Sequence, residues 1–161
     1  MGKRRKNEKK TPKARILIVD DDESIRKVLT EILTEKGYHV EAVENGRKAI
    51  LRTKHRFYNL ALIDIRLPDI QGVELITKMH DTSPKMVKVI ITGYPTLQNA
   101  IDALNRGADA YLIKPLDIEK TLKIIEEHLQ KQKEMQKMTE KQLVEFIETR
   151  AKMLEQEIHT K

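Results

Sequence analysis

The chain of 161 residues contains no cysteine. Disulfide bonds, zinc–thiolate centres and cysteine nucleophiles are therefore excluded, and the composition fits a cytoplasmic protein. Long apolar runs are absent too: no segment approaches the roughly 20 apolar residues of a membrane-spanning helix, and the charged N-terminus lacks the apolar region of a signal peptide. Hydrophobic residues make up 39% of the chain. We expect one cytoplasmic domain with an extension and no membrane span.

Basic charge is concentrated at the N-terminus. Residues 1–15 carry eight lysines and arginines and one acid, so that the remaining residues sum to −1 within a total net charge of +6. High charge and low hydrophobicity are typical of disorder, and we interpret residues 1–13 as a disordered basic tail. The alternative is a tail that contacts nucleic acid or another acidic surface. Base stacking has no support, because the tail contains no aromatic residue.

Strand and helix patterns alternate five times after the tail. Branched apolar or alternating segments predict strands at 15–20, 38–43, 60–64, 86–91 and 110–113. Apolar residues at helical spacing predict a helix after each strand; Asn45 and Gly72 mark the starts of the second and third helices. Alternating strands and helices with right-handed crossovers predict an α/β fold with a parallel sheet.

Neither glycine nor proline occurs from Leu116 to Lys161. The fifth helix is therefore expected to continue past Leu129, although Thr139 and Gln142 also have the spacing of a second helix start. An apolar stripe follows, formed by Leu143, Ile147, Ala151, Leu154 and Ile158, with Val144 and Phe146 beside it.

Two interpretations of this apolar stripe remain open. The helix packs back on its own domain, or it pairs with a second copy of the chain or with another protein. In either case we divide the chain into the tail (1–13), an α/β domain (14–130) and a helical extension (131–161).

Polar side chains stand where four of the predicted strands end. Asp20 and Asp21 follow the first strand, Asp64 closes the third, Thr92 follows the fourth and Lys114 follows the fifth. Taken singly, each is an ordinary turn, cap or surface residue. Doubly wound sheets bind ligands beyond the carboxyl ends of their strands, so the coincidence indicates a site.

The chemistry of this site follows from its carboxylates. Clustered carboxylates repel one another unless a cation joins them, and hard oxygen ligands suit Mg²⁺. A metal-bound carboxylate cluster in which Asp64 is accessible is suited to taking up a phosphoryl group. Three acids, Asp20 to Asp22, follow the first strand. Because Val19 is the last apolar residue, we assign Asp20 and Asp21 to the site and Asp22 to the cap of the first helix.

Four segments together resemble the receiver domain of two-component response regulators: Ile16-Leu17-Ile18-Val19-Asp20-Asp21, Leu62-Ile63-Asp64-Ile65-Arg66-Leu67-Pro68, Ile91-Thr92-Gly93 and Ala110-Tyr111-Leu112-Ile113-Lys114-Pro115. The resemblance covers about residues 14–130. It implies a flavodoxin-like, doubly wound, five-stranded parallel sheet in the order 2-1-3-4-5 with helices on both faces. It also makes Lys114-Pro115 a candidate for a cis peptide bond.

The resemblance implies that Asp64 accepts a phosphoryl group from the phosphohistidine of a sensor histidine kinase. Asp21 would bind Mg²⁺ (or Mn²⁺) directly, Asp20 directly or through water, and the backbone carbonyl of Arg66 would supply a further oxygen ligand. Lys114 would hold a phosphoryl oxygen by its charge. Such a chain is a phosphoacceptor signalling protein that assists its own phosphorylation and dephosphorylation, not an enzyme with a separate substrate.

The resemblance also implies a switch. Thr92 would hydrogen-bond the new phosphate and Tyr111 would turn inward with it, changing the face formed by the fourth helix, fifth strand and fifth helix. Through the C-terminal helix this change would reach an unknown downstream protein or a second copy. Arg66 and Tyr94 stand two places past Asp64 and Thr92, and we expect these bulky side chains to screen attacking water.

Two rival functions are considered. Haloacid-dehalogenase-like phosphohydrolases place a nucleophilic aspartate after their first strand, in a pattern that Asp20 and Asp22 could mimic, but Asp64 would then have no role. A binding module without phosphorylation would instead use the basic tail or the C-terminal stripe.

Overall fold

The structure is a computed structural model that describes residues 14–79 and 85–159; the predicted disordered tail (1–13) lies outside the described residues. The strands are β1 (Arg15–Val19), β2 (His39–Val43), β3 (Leu60–Asp64), β4 (Val87–Thr92) and β5 (Ala110–Ile113). The helices are α1 (Glu23–Glu35), α2 (Gly46–His55), α3 (Gly72–Lys78), α4 (Leu97–Asn105) and α5 (Ile118–His159). The predicted alternation is confirmed.

The five strands form one parallel sheet in the order β2-β1-β3-β4-β5, as predicted. In the pairing of β1 with β3, Val19 lies beside Ile63, and in the pairing of β3 with β4, Asp64 lies beside Ile91. The carboxyl ends of β1, β3 and β4 therefore meet at one edge of the sheet, where Asp64 is the last residue of the central strand.

Alternating strand residues form a core on each face of the sheet. Leu17 and Ile63 belong to one cluster, which also contains buried residues of α2, α3 and α4. Ile18 and Leu62 belong to the other, which contains buried residues of α1 and Ile125 of α5. Because strand side chains point alternately to opposite faces, a sheet covered on both sides needs continuous apolar strands.

Side-chain caps begin two of the helices as the sequence predicts. The carboxylate of Asp22 accepts hydrogen bonds from Ser24 N and Ile25 N at 2.8 and 3.2 Å, and Asn45 Oδ1 accepts one from Lys48 N at 2.9 Å. These caps satisfy amide groups that have no partner inside a helix. Asp22 is therefore used as a helix cap, which leaves Asp20 and Asp21 for the sheet edge.

Helix α4 forms where predicted, but the apolar residues that mark it face outward. Leu97 is 79% exposed and Leu104 is 56% exposed, whereas Ala103 is fully buried. The small Ala103 side chain contacts the core, and the larger apolar side chains of α4 remain on the surface of the described residues.

Helix α5 runs without interruption from Ile118 to His159. The second helix start at Thr139 is therefore wrong: the Thr139 hydroxyl donates to the Met135 carbonyl at 3.0 Å inside the helix. The packed-back interpretation is also wrong for the stripe, since Leu143 and Ile147 are more than half exposed. None of the helices in the described part of the chain combines the length and apolarity needed to cross a bilayer.

Candidate functional site

Three carboxylates meet at the carboxyl edge of the sheet. Oxygen atoms of Asp20, Asp21 and Asp64 all lie within 4.8 Å of one another. Asp20 and Asp64 are buried, at 2% and 7% exposure, and Asp21 is exposed. Their convergence confirms that β1 and β3 deliver these residues to one place. Oxygen ligands at this spacing are suited to a hard divalent cation such as Mg²⁺.

Lys114 joins two of these carboxylates. Its Nζ lies 3.2 Å from Asp20 Oδ2 and 3.3 Å from Asp64 Oδ2, and its backbone N donates to the Thr92 carbonyl at 2.7 Å. Burial disfavours the charged form of Lys114, but the attraction of Asp20 and Asp64 outweighs burial and raises the pKa of the lysine. Lys114 is therefore a fixed cation that faces two acids. The peptide bond between Lys114 and Pro115 is cis, as predicted.

The carboxylate of Asp20 is buried beside a second acid, Asp64. Burial raises its pKa and repulsion from Asp64 adds to this, although a hydrogen bond from Asp22 N at 2.9 Å and the charge of Lys114 act in the opposite direction. A divalent cation at this place would favour the ionised form of each carboxylate.

The backbone of Asp64 is in close contact with the start of α3. A Cβ atom on Gly72 would lie 2.4 Å from the carbonyl oxygen of Asp64, and Gly72 N donates to the Ile65 carbonyl at 2.8 Å. At the carboxylate of Asp64, Arg66 N donates to Oδ1 at 3.2 Å. The first residue of α3 thus packs directly on the strand end that carries the central carboxylate, and only glycine leaves room for that contact.

Thr92 and Tyr111 lie on the neighbouring strands β4 and β5. Thr92 is fully buried, and its Oγ1 accepts a hydrogen bond from Tyr94 N at 3.0 Å. The ring of Tyr111 packs against the core cluster that contains Ile63. The Tyr111 hydroxyl is buried and has no hydrogen-bond partner among the described residues, which makes this position of the ring costly for the hydroxyl group.

Arg66 and Tyr94 stack on each other at the outer side of these strand ends. The guanidinium carbon of Arg66 lies 3.8 Å from the centroid of the Tyr94 ring, within the range of a cation–π contact. Tyr94 remains 60% exposed. The stack connects the loop after β3 to the loop after β4, which the sequence did not reveal, since it indicated only that both side chains are bulky.

Two supporting residues were missed in the sequence. The carboxylate of Asp69 accepts hydrogen bonds from Gly46 N and Arg47 N, each at 2.9 Å, and so ties the loop after β3 to the start of α2. Arg26 Nη1 donates to the Asp20 carbonyl at 2.7 Å. No sequence pattern links Asp69 to a helix more than twenty positions earlier; its place in a turn after a strand end was the only available indication.

Comparison with known proteins agrees with this geometry. The family model for the response regulator receiver domain matches residues 16–126. The transcriptional regulatory protein ZraR of Klebsiella oxytoca is 37% identical over 105 residues, which are 65% of this chain and 24% of that protein. The match spans about a quarter of the length of the first curated relatives.

Solved structures show the same fold. A CheY-like receiver domain protein from Methanospirillum hungatei has a TM-score of 0.72 at 43% identity and covers 75% of this chain and 97% of its own. A response regulator from Burkholderia pseudomallei, whose structure contains a phosphorylated aspartic acid, a calcium ion and citrate, has a TM-score of 0.61 at 28% identity, with 67% and 64% covered. Together with the acidic sheet edge, these matches show that the chain belongs to the response regulator receiver domain family.

Proposed function

We propose that Asp64 is the phosphoryl acceptor of this receiver domain and that a sensor histidine kinase is the donor. The observation that carries the proposal is the position of Lys114, whose Nζ contacts Asp20 and Asp64 while these two acids share a cluster with Asp21. A lysine that contacts two carboxylates of an acidic cluster is placed to neutralise the oxygens of a phosphoryl group that arrives at Asp64.

In the transfer step a carboxylate oxygen of Asp64 forms a bond to phosphorus as the bond between phosphorus and the kinase histidine nitrogen breaks. The imidazole leaves with the bonding electrons and takes up a proton. Lys114, already within 3.3 Å of Asp64, compensates the charge on a phosphoryl oxygen. The Arg66 N–H holds the other oxygen of Asp64 and so orients the carboxylate.

Asp20, Asp21, Asp64 and the backbone carbonyl of Arg66 would hold Mg²⁺ or Mn²⁺. All are oxygen donors, and oxygen atoms of the three aspartates lie within 4.8 Å of one another, as a shared hard cation requires. When bound, the ion supplies charge neutralisation for phosphoryl oxygens. The Burkholderia neighbour, with its phosphorylated aspartic acid and calcium ion, supports this assignment.

Thr92 and Tyr111 are the residues that respond to the phosphate. Thr92 Oγ1 accepts a hydrogen bond from Tyr94 N in this structure, and the hydroxyl hydrogen can be donated to a phosphoryl oxygen. Once Thr92 moves toward the phosphate, the half-buried ring of Tyr111 fills the adjoining space. The face that changes is formed by α4, β5 and α5, where Leu97, Ile101 and Ile113 are exposed and available for a downstream protein.

The two rival functions fit the structure less well. A phosphohydrolase that uses Asp20 and Asp22 needs both carboxylates at the sheet edge, whereas Asp22 caps α1. A module without phosphorylation would not need a complete set of acids and lysine, and this chain has the complete set. We assign the chain as a phosphoacceptor that assists its own phosphorylation and dephosphorylation.

Intact-mass measurement tests the proposal. With Mg²⁺ and acetyl phosphate, the parent chain gains one phosphate, and Asp64→Asn gains none. Asp102→Asn, a change on the surface of α4, serves as the matched control and is phosphorylated like the parent. Chelation of the metal with EDTA suppresses the mass gain. Phosphorylation of Asp64→Asn to the same extent as the parent would overturn the assignment.

A further inference from the structure

The last third of α5 carries an apolar face that is at least half exposed among the described residues. Val144, Ile147, Leu154 and Ile158 are 50–72% exposed, and Ala151 is exposed as well. Directly opposite this face lie four polar residues, Glu145, Thr149, Lys152 and Gln156. A helix with one apolar side is stable in water only when that side is covered.

The spacing of this face is that of a coiled-coil seam. Val144, Ile147, Ala151, Leu154 and Ile158 follow one another at intervals of three and four residues, which are positions a and d of a seven-residue repeat. Position a holds Val144, Ala151 and Ile158, and position d holds Ile147 and Leu154. β-Branched residues at a with leucine at d favour two strands, and Val144, Leu154 and Ile158 meet this pattern. One repeat earlier, the same positions hold Lys137 and Glu140, so the seam begins at Val144.

Charges beside the seam select the partner and its direction. Arg150 occupies position g and Glu155 the following position e. In a parallel pair of identical helices, Arg150 of each copy faces Glu155 of the other, giving two opposite-charge contacts. In an antiparallel pair with the same seam, Arg150 lies beside Arg150 of the second copy. We propose that residues 144–158 form a parallel two-stranded coiled coil with a second copy of this chain.

Gln132 fixes the first part of α5 to the receiver domain, so pairing of the helix ends determines where the two domains lie. Gln132 is buried; its Nε2 donates to the carbonyls of Asn59 and Lys85 at 2.9 Å each, and its Oε1 accepts from Asn59 Nδ2 at 3.2 Å. From Gln132 to Val144 the helix advances roughly 18 Å at 1.5 Å per residue. A parallel pair therefore brings both receiver domains, with both Asp64 sites, to the same end of the coiled coil.

Sedimentation equilibrium of the 161-residue chain tests self-association. Because the seam is short, the average mass is expected to rise with concentration towards twice the mass of one chain. The variant Ile147→Lys with Leu154→Lys keeps the mass of one chain. The matched control, Phe146→Lys with Met153→Lys, changes two equally exposed residues outside the seam and keeps the association of the parent.

All four positions are exposed, so that phosphorylation of Asp64 and the helical circular dichroism signal serve as checks that each variant is folded. A parent chain that keeps the mass of one chain at every concentration, phosphorylated or not, overturns the proposal. So does a result in which the control variant dissociates and the seam variant does not.

Cysteine cross-linking tests the direction of pairing. Because the chain has no native cysteine, a disulfide can form only between the introduced residues. In a parallel pair each d position faces itself, so Leu154→Cys forms a covalent dimer on oxidation, whereas Phe146→Cys does not. A parent chain that associates while Leu154→Cys fails to cross-link overturns the parallel arrangement.

Discussion

Asp64 depends on a residue eight places later in the chain. Its carbonyl oxygen lies where a Cβ atom on Gly72 would come within 2.4 Å, so the start of α3 fixes the strand end that carries the carboxylate. The sequence indicated Asp64 as a strand-end acid and Gly72 as a helix start, and both are confirmed. It could not show that they touch, because a close backbone approach leaves no pattern in residue type.

At the same scale, the stack of Arg66 on Tyr94 is expected to slow hydrolysis of the aspartyl phosphate by limiting the approach of water. We predict that Tyr94→Ala loses phosphate several-fold faster than the parent, because it removes the ring on which Arg66 rests. The rate is measured from the decay of the phosphorylated mass after the phosphodonor is removed. Tyr94→Phe keeps the ring and is expected to behave as the parent; equal rates for Tyr94→Ala and the parent contradict the prediction.

At the scale of elements, β2 is held to the chain before β3 by a charged contact. Glu41 accepts hydrogen bonds from the buried Tyr58 hydroxyl and from Arg56. Burial acts to raise the pKa of Glu41, but the Tyr58 hydrogen bond and the charges of Arg56 and Arg52 outweigh it and lower the pKa below the ordinary value of 4.5. A carboxyl with a lowered folded pKa stabilises the fold above 4.5, and this contribution is lost as the pH falls through the folded pKa.

We therefore predict that Glu41→Gln lowers the free energy of unfolding at pH 7 by about 1.5–3 kcal/mol, the range for hydrogen bonds to a charged group. Below pH 4.5 the difference from the parent shrinks. Urea denaturation at a series of pH values measures both effects. Glu44→Gln, in an exposed pair with Lys48, is the control and is expected to change little. A difference that does not depend on pH contradicts the argument.

Helix α5 is joined to the sheet by Gln132 rather than by apolar contacts alone. We predict that Gln132→Ala costs about 1–3 kcal/mol, because the two hydrogen bonds that the buried Gln132 side chain donates to the carbonyls of Asn59 and Lys85 are lost. Thermal denaturation measures the loss. Gln136→Ala, one turn further along the same helix and exposed, is the matched control. If the two variants melt together, Gln132 does not hold the helix.

The sequence predicted which helices and strands occur and in what order along the chain. It predicted less well which of their faces are buried. Continuous apolar strands and the caps Asp22 and Asn45 are local patterns, and they placed β1, α1 and α2 correctly. The outward direction of Leu97 in α4 and the anchoring of Gln132 depend on contacts between distant parts of the chain. Apolar spacing predicts a helix and one apolar side, but it does not say whether that side is covered by the same chain.

For the whole molecule, α5 is part of the face that the proposed phosphorylation of Asp64 would change. We predict that phosphorylation changes amide hydrogen exchange in residues 117–158, since Lys114 lies four residues before the start of this helix and contacts Asp64. Exchange is compared by mass spectrometry with and without acetyl phosphate, using Asp64→Asn as the control. Unchanged exchange in this range, together with unchanged oligomeric state, contradicts transmission through α5.

The most direct test of the account asks which carboxyl carries the phosphate. Borohydride reduction of the phosphorylated chain converts an aspartyl phosphate to homoserine, and peptide mass mapping locates the change. The arrangement of Lys114, Asp20 and Asp64 predicts homoserine in place of Asp64 and nowhere else. Homoserine in place of Asp20 or Asp22 would contradict it and would support a nucleophile at the end of β1.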